Sequence, residues 1–190
     1  MELYLIRHAR AAERGAHYPD DSVRPLVAKG EAQARLLRAT FERLGVRFER
    51  LTSSPWRRAL QTAEPLRVLA GGELVLLDAL AQGDPNETAL ALRKLLAEGR
   101  SLRAPGRGPG NGASDGPAAG GRIAAVGHEP WLSMLAAWLL SGRASGLAIT
   151  FRKASVLVLE GEPRAGGMAL TAFLPMRTVK ALYPDQDLPD

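Results

Sequence analysis

The chain has 190 residues, of which 46% are hydrophobic, 24% are charged and none is cysteine. This length suits one domain or a domain with appendages, and the composition excludes global disorder, a collagen-like fibre, a disulfide scaffold and cysteine-based chemistry. The net charge of +5 rests mainly on arginine, which suits phosphate groups. Because the basic residues are spread along the chain without a nucleic-acid-binding motif, we do not expect nucleic acid as a partner.

The apolar patterns exclude a membrane span. The N-terminal apolar run ends at Arg7-His8, which is too early for the apolar core of a signal peptide. The longest strongly apolar stretch, residues 131–140, is half the length of about 20 residues that a spanning helix needs. We therefore expect no membrane association and a cytoplasmic location.

The first half of the chain alternates strand-like and helix-like segments. Residues 2–7 form a short apolar run typical of a buried strand, and residues 9–21 are expected to form a loop. The patterns then predict a helix at 28–44, a strand at 50–53, a helix from Pro55 to about 69, a strand at 73–77 and a helix from 85 to about 98.

The second half ends in segments that resemble antiparallel strands. The patterns predict a strand at 122–127, a helix at 130–141 and β-rich segments at 148–151, 155–160 and 168–174. Alternation of strands and helices followed by strands alone predicts a three-layer α/β/α sandwich around a mixed, mostly parallel sheet.

One segment differs in composition from the rest. Residues 99–121 contain eight glycines and three prolines, with little that a core would bury. We expect residues 1–183 to form a single domain that carries 99–121 as a flexible insertion, with a domain linker as the competing interpretation. Residues 184–190 are expected to be a frayed tail.

Histidine and arginine side chains follow three of the predicted strands. Arg7-His8 ends the first strand, the block 53–62 places cations in the first turn of a helix, and Gly127-His128 ends another strand. Two imidazoles and several guanidinium groups are a poor set for zinc but suit a tetrahedral dianion. A neutral imidazole can attack phosphorus, and fixed arginines stabilise the charge on the transferred group.

These motifs resemble a known family. Arg7-His8-Ala9, the block 53–63 and Gly127-His128 are similar to the signatures of the histidine phosphatase superfamily, which shares its fold with cofactor-dependent phosphoglycerate mutases. Residues 21–26 followed by Gly30, together with the segment 153–155 and the shortness of the chain, resemble its SixA branch of phosphohistidine phosphatases.

The resemblance implies a role for each matching residue. His8 would be the nucleophile that becomes phosphorylated, and Arg7 and Arg58 would hold phosphate oxygens. His128 would bind a phosphate oxygen and stabilise the charge that builds on it. For the neighbouring Arg57 we expect a solvated helix face instead.

Two further residues have a structural interpretation beside the functional one. Arg24 matches an arginine of SixA-like sequences and would supply a further cation to the phosphate or its carrier, or else is an exposed loop residue. Ser53 would donate a hydrogen bond to the substrate, or else caps the helix that starts at Pro55.

The sequence gives a weaker indication of which residue would protonate the leaving group. Many relatives supply a Glu or Asp after the third strand, and here Asp84 is the candidate general acid, although with Glu87 it also forms a helix-capping box. A phosphohistidine needs less help, since imidazole leaves as a neutral base once its other nitrogen is protonated.

The sequence therefore predicts a phosphatase that hydrolyses phosphohistidine on a protein through phospho-His8, releases inorganic phosphate, and uses neither metal nor cofactor. A small-molecule phosphomonoesterase and a non-catalytic phosphoprotein-binding module remain as alternatives.

Overall fold

The structure, a computed structural model, describes residues 1–101 and 121–183. Its strands are β1 (Glu2–Arg7), β2 (Arg50–Ser53), β3 (Leu74–Leu76), β4 (Arg122–Gly127), β5 (Val156–Gly161) and β6 (Met168–Leu174). Its α-helices are α1 (Ala28–Arg43), α2 (Arg57–Ala63), α3 (Ala79–Gln82), α4 (Pro85–Ser101), α5 (Trp131–Ser141) and α6 (Met176–Ala181).

All six strands belong to one sheet with the order β3-β2-β4-β1-β5-β6. The four strands from β3 to β1 run parallel to one another, whereas β5 is antiparallel to β1 and β6 is antiparallel to β5. This arrangement confirms the expected α/β class with a mixed, mostly parallel sheet.

The alternation of side chains along β1 divides the core into two layers. Leu3 and Leu5 point to one face and pack with apolar residues of α4 and α5. Tyr4 and Ile6 point to the other face and pack with α1, α2 and α6. Because successive strand residues face opposite sides, a strand covered on both faces has to be apolar throughout, as β1 is.

The sheet places the ends of three parallel strands next to one another. Arg7 of β1 pairs with Gly127 of β4, and Ser53 of β2 pairs with Val126 of the same strand. The residues that follow β1, β2 and β4 therefore meet at one edge of the sheet. In open α/β sheets this carboxyl edge is where ligands bind.

Two predicted elements differ from the observed ones. The helix expected from Pro55 to about 69 is divided into α2 and a 3-10 helix, Glu64–Leu69, because Pro65 lacks the amide hydrogen that a continuous α-helix needs. Residues 148–151 do not join the sheet, and the Phe151 carbonyl accepts a hydrogen bond from the Arg7 side chain instead.

The expected flexible insertion at 99–121 falls mostly on residues 102–120, which lie outside the described residues, and its first residues extend α4 to Ser101. The expected tail at 184–190 also lies outside them. Within residues 1–101 and 121–183, no helix has the length and apolar character to cross a membrane.

Candidate active site

A cavity of about 440 Å³ opens at the carboxyl edge of the sheet. Two histidines and five cations line it: His8, His128, Arg7, Arg14, Arg24, Arg58 and Lys153. A larger cavity, of about 810 Å³, lies at the opposite edge beside the first residues of β2 and β4, and its described lining contains none of the candidate residues. The smaller cavity is therefore the candidate site.

His8 presents an unprotonated ring nitrogen, Nε2, to the cavity. Its Nδ1 lies 2.8 Å from the Ala9 carbonyl oxygen, which can only accept, so Nδ1 carries the proton. Its Nε2 lies 3.2 Å from Arg58 Nε and 3.1 Å from Lys153 Nζ. Burial lowers the pKa of His8 most, and the charges of Lys153 and Arg58 lower it further, to about 2, so the imidazole is neutral.

His128 packs directly beside this nucleophile candidate. The two histidine rings have centroids 4.9 Å apart, and the centroid of the Trp56 ring lies 4.6 Å from that of His128. Its Nε2 lies 2.8 Å from the Ser54 hydroxyl oxygen. Burial, followed by the charge of Arg58, lowers the pKa of His128 to about 3, so this imidazole is neutral too.

Arg58 is held in place by a carboxylate. Its guanidinium is 3% exposed and donates to the Asp21 carboxylate at 2.8 Å as well as to the Asp21 carbonyl. The same carboxylate accepts from Arg24 at 2.6 Å and from Arg14 at 2.8 Å. Burial alone would raise the pKa of Asp21, but the hydrogen bonds from Arg14 and Arg24 and the charge of Arg58 hold it well below its usual range.

Arg7 and Lys153 complete the cationic wall. The Arg7 side chain donates to the Phe151 carbonyl, and its buried Nε has no hydrogen-bond partner in the described part of the chain. Burial lowers the pKa of Lys153 most, and the charges of Arg7 and Arg58 lower it further, to about 8. An anion in the cavity would thus meet several positive charges near the His8 nitrogen.

Two of the candidates predicted from the sequence lie elsewhere. Ser53 is fully buried outside the cavity lining, and its hydroxyl donates to the Ser54 carbonyl at 2.9 Å. Asp84 also lies outside the lining, where its carboxylate accepts backbone hydrogen bonds from Asn86 and Glu87 as the N-cap of α4. The other candidates, His8, Arg7, Arg58, His128 and Arg24, come together.

Sequence reasoning missed several residues of the site, among them Arg14, which lines the cavity and donates to Asp21. Asp21 and Lys153 lie within segments that it singled out, yet a carboxylate among arginines and a lysine before a turn have no distinctive spacing. Glu129, which follows His128, lines the cavity, and Ser54 contacts the His128 ring. Their signal was adjacency to a strand-end residue already identified.

A metal site would need a group of three or more side chains that can bind the ion. Within residues 1–101 and 121–183, no three or more His, Asp or Glu side chains form a group able to hold a metal ion.

Sequence comparison identifies a family match. The model of the histidine phosphatase superfamily (branch 1) matches residues 3–86. An uncharacterized protein of Picosynechococcus sp. is 47% identical over 74 residues, which cover 39% of this chain and 42% of that protein. The match therefore spans less than half of the curated relative.

Solved structures share the fold over almost the whole chain. The protein histidine phosphatase SixA in complex with tungstate has a TM-score of 0.72 at 22% identity, covering 94% of this chain and 99% of that one. A phosphoserine phosphatase mutant of Entamoeba histolytica in complex with phosphoserine has a TM-score of 0.61 at 15% identity, covering 93% and 98%. The family-model match over residues 3–86 agrees with the resemblance to the histidine phosphatase superfamily. The solved structures confirm the expected phosphoglycerate mutase-like α/β fold.

Proposed function

We propose that this chain, whose residues 3–86 match the histidine phosphatase superfamily, hydrolyses phosphohistidine on a protein through a phospho-His8 intermediate and without a metal. One observation carries the proposal. The neutral His8 ring directs its unprotonated Nε2 into a cavity walled by cations, with Arg58 Nε only 3.2 Å away. A nucleophile and the charges that stabilise its reaction are thus already in place.

In the first step, the substrate phosphoryl group enters between Arg7 and Arg58, which neutralise its oxygens. His8 Nε2 forms a bond to phosphorus as the bond from phosphorus to the substrate imidazole breaks. The other ring nitrogen of that imidazole already carries a proton, so the imidazole leaves as a neutral base. A positive charge develops on the His8 ring as the bond from Nε2 to phosphorus forms. The Ala9 carbonyl oxygen stabilises that charge, because it accepts a hydrogen bond from Nδ1, which keeps its proton, at 2.8 Å.

In the second step, water attacks phospho-His8 on the face away from the ring. The bond between Nε2 and phosphorus breaks, His8 leaves as a neutral imidazole with its Nδ1 proton retained, and inorganic phosphate departs. The Ser54 hydroxyl at 2.8 Å keeps the His128 ring beside the transferred group, where its ring can hydrogen-bond a phosphoryl oxygen.

The preference for phosphohistidine rests on the leaving group. Asp84, the candidate acid expected from the sequence, caps α4 outside the cavity, so it is not placed to protonate an alkoxide. The Glu129 carboxyl does line the cavity, but one of its oxygens accepts a hydrogen bond from Ser133 at 2.6 Å. A substrate imidazole leaves without strong acid assistance. The fold similarity to the protein histidine phosphatase SixA agrees with this preference.

A small-molecule phosphomonoesterase is the second candidate. It is favoured by the fold similarity to a phosphoserine phosphatase that was solved with phosphoserine. The same cations would serve either substrate class, since both carry a phosphoryl dianion.

Release of inorganic phosphate separates the candidates. The purified protein is given a histidine protein phosphorylated with phosphoramidate, and separately phosphoserine and sugar phosphates, beside His8→Ala and the exposed control His17→Ala. We expect release from the phosphohistidine protein by the wild type and by His17→Ala, and none by His8→Ala. Faster release from small phosphomonoesters would favour the second candidate, and binding without any release would favour a non-catalytic module.

A further inference from the structure

Lys153 contacts the nucleophile but has no role in the cycle described above. Its Nζ lies 3.1 Å from His8 Nε2, on the atom that would attack phosphorus. No carboxylate of the described residues lies within ion-pair distance of Lys153, although the ammonium group is partly buried. Removing a cation from water without a counter-ion costs free energy. The position of Lys153 therefore suggests a functional role.

The backbone that carries Lys153 is itself unusual. Ala154 has a φ of +57°, in the left-handed region that side chains other than glycine rarely adopt. Its amide donates to the carbonyl oxygens of Arg7 and His8, at 3.1 and 3.3 Å. The turn is thus attached to the backbone of the nucleophile itself. Conformations of this kind are strained and cluster at functional sites.

From these contacts we infer that Lys153 is a catalytic residue, whose ammonium group binds an oxygen of the phosphoryl group while it is transferred to and from His8. The inference rests on the proposed function, since it assigns a role within the same reaction. Arg58 Nε and Lys153 Nζ both converge on Nε2. When Nε2 forms its bond to phosphorus it stops accepting hydrogen bonds, and the phosphoryl oxygens take its place as acceptors.

Lys153 keeps all its protons in this step. The bond from substrate nitrogen to phosphorus breaks as that from His8 Nε2 to phosphorus forms, and the ammonium group compensates the negative charge on the oxygens. In a site of low polarity, loss of one such donor costs about 100-fold or more in kcat.

The charge of Lys153 depends on pH within an accessible range. Burial and the neighbouring positive charges lower its pKa to about 8, so the ammonium form is lost as pH rises through that value. The charged and titratable groups around it come from several elements: Arg7, His8, Asp21, Arg24, Arg58, His128 and Glu129. Of these, only Asp21 and Glu129 favour its charged form.

The test compares Lys153→Met and Lys153→Arg with the wild type and with Lys94→Met, which removes an exposed lysine on α4. With the phosphohistidine protein, we expect kcat to fall about 100-fold in Lys153→Met, with partial recovery in Lys153→Arg. The wild-type kcat should decline above pH 8, and in Lys153→Arg this decline should move to higher pH. Lys94→Met should match the wild type.

A kcat of Lys153→Met within twofold of the wild type would overturn the inference while leaving the proposed function intact. An inactive wild type would instead count against the proposed function, and binding then decides the matter. Titration calorimetry with inorganic phosphate should show at least tenfold weaker binding to Lys153→Met than to Lys94→Met. Equal affinities would contradict the role of Lys153, and matching thermal unfolding curves show that both variants are folded.

Discussion

Burial of two neutral imidazoles shapes the site at the level of single residues. His8 and His128 are 3% and 2% exposed, and their pKa values are lowered to about 2 and about 3. The proposed nucleophilic role of His8 requires a neutral ring, because a protonated ring has no lone pair at Nε2. The neighbouring cations that we propose bind the phosphate therefore also keep the proposed nucleophile unprotonated.

The same burial links stability to pH. Below pH 6.5 the two histidines take up protons when the chain is unfolded but not when it is folded, so stability is full above pH 6.5 and falls as pH decreases. Each histidine contributes a slope of up to about 1.4 kcal/mol per pH unit. Denaturant unfolding between pH 7 and pH 5 measures it. We expect His8→Gln to reduce the slope, whereas His17→Gln, an exposed control, leaves it unchanged; an unaltered slope in His8→Gln would argue against a buried neutral His8.

Asp21 is the second determinant at this scale, because one carboxylate orients three arginines. In Asp21→Asn the Arg58 guanidinium loses its charged partner at 2.8 Å, and the cavity becomes more positive. We predict a fall in kcat of about tenfold or more from misplacement of Arg58, together with tighter binding of inorganic phosphate. Steady-state kinetics and phosphate inhibition give both values. An unchanged kcat would mean that Asp21 does not position Arg58.

At the level of elements, the loop after β1 is held by the start of α1. A Cβ added at Gly30 would lie 1.9 Å from the Arg10 carbonyl oxygen, which accepts a hydrogen bond from the Val27 amide at 3.1 Å. This close approach gives a reason for the glycine of the SixA-like segment. The loop that it supports begins immediately after His8.

Gly30→Ala should therefore displace that loop. We expect the free energy of unfolding to decrease by about 1–3 kcal/mol, with a loss of phosphatase activity, because a small shift of the loop moves the nucleophile. Gly15→Ala is the matched control, since a Cβ there meets nothing within 4 Å. Denaturant unfolding and activity are compared for both variants, and equal stabilities would show that the contact is not tight in solution.

The elements that the sequence predicts well are those with a local signal. The apolar runs at 50–53, 122–127 and 168–174 coincide with β2, β4 and β6, and the capping pattern at Asp84 marks the start of α4. Because parallel strands share an edge, strand-end reasoning also places His8, Arg58 and His128 together. Asp21 and Lys153 could not be found in this way. Asp21 is positioned by a 3-10 helix at residues 21–23, and Lys153 by the turn that contains the left-handed Ala154. Neither feature produces a periodic pattern in the sequence.

At the level of the whole molecule, topology concentrates charge that the sequence disperses. The net charge is +5, and the cations that line the cavity come from positions as far apart as Arg7 and Lys153. They meet because β1 and β4 end side by side and the turn before β5 returns to the same edge. We infer that this convergence allows His8 to act as a covalent nucleophile.

Trapping of the phosphorylated protein tests that claim most directly. Wild type and His8→Ala are mixed with a histidine protein carrying ³²P-labelled phosphohistidine, quenched within milliseconds to seconds, and separated from the substrate protein. We expect an acid-labile, base-stable label on the wild type and none on His8→Ala. A label of equal size on both proteins, or rapid phosphate release by the wild type with no labelled protein at any time, would contradict it.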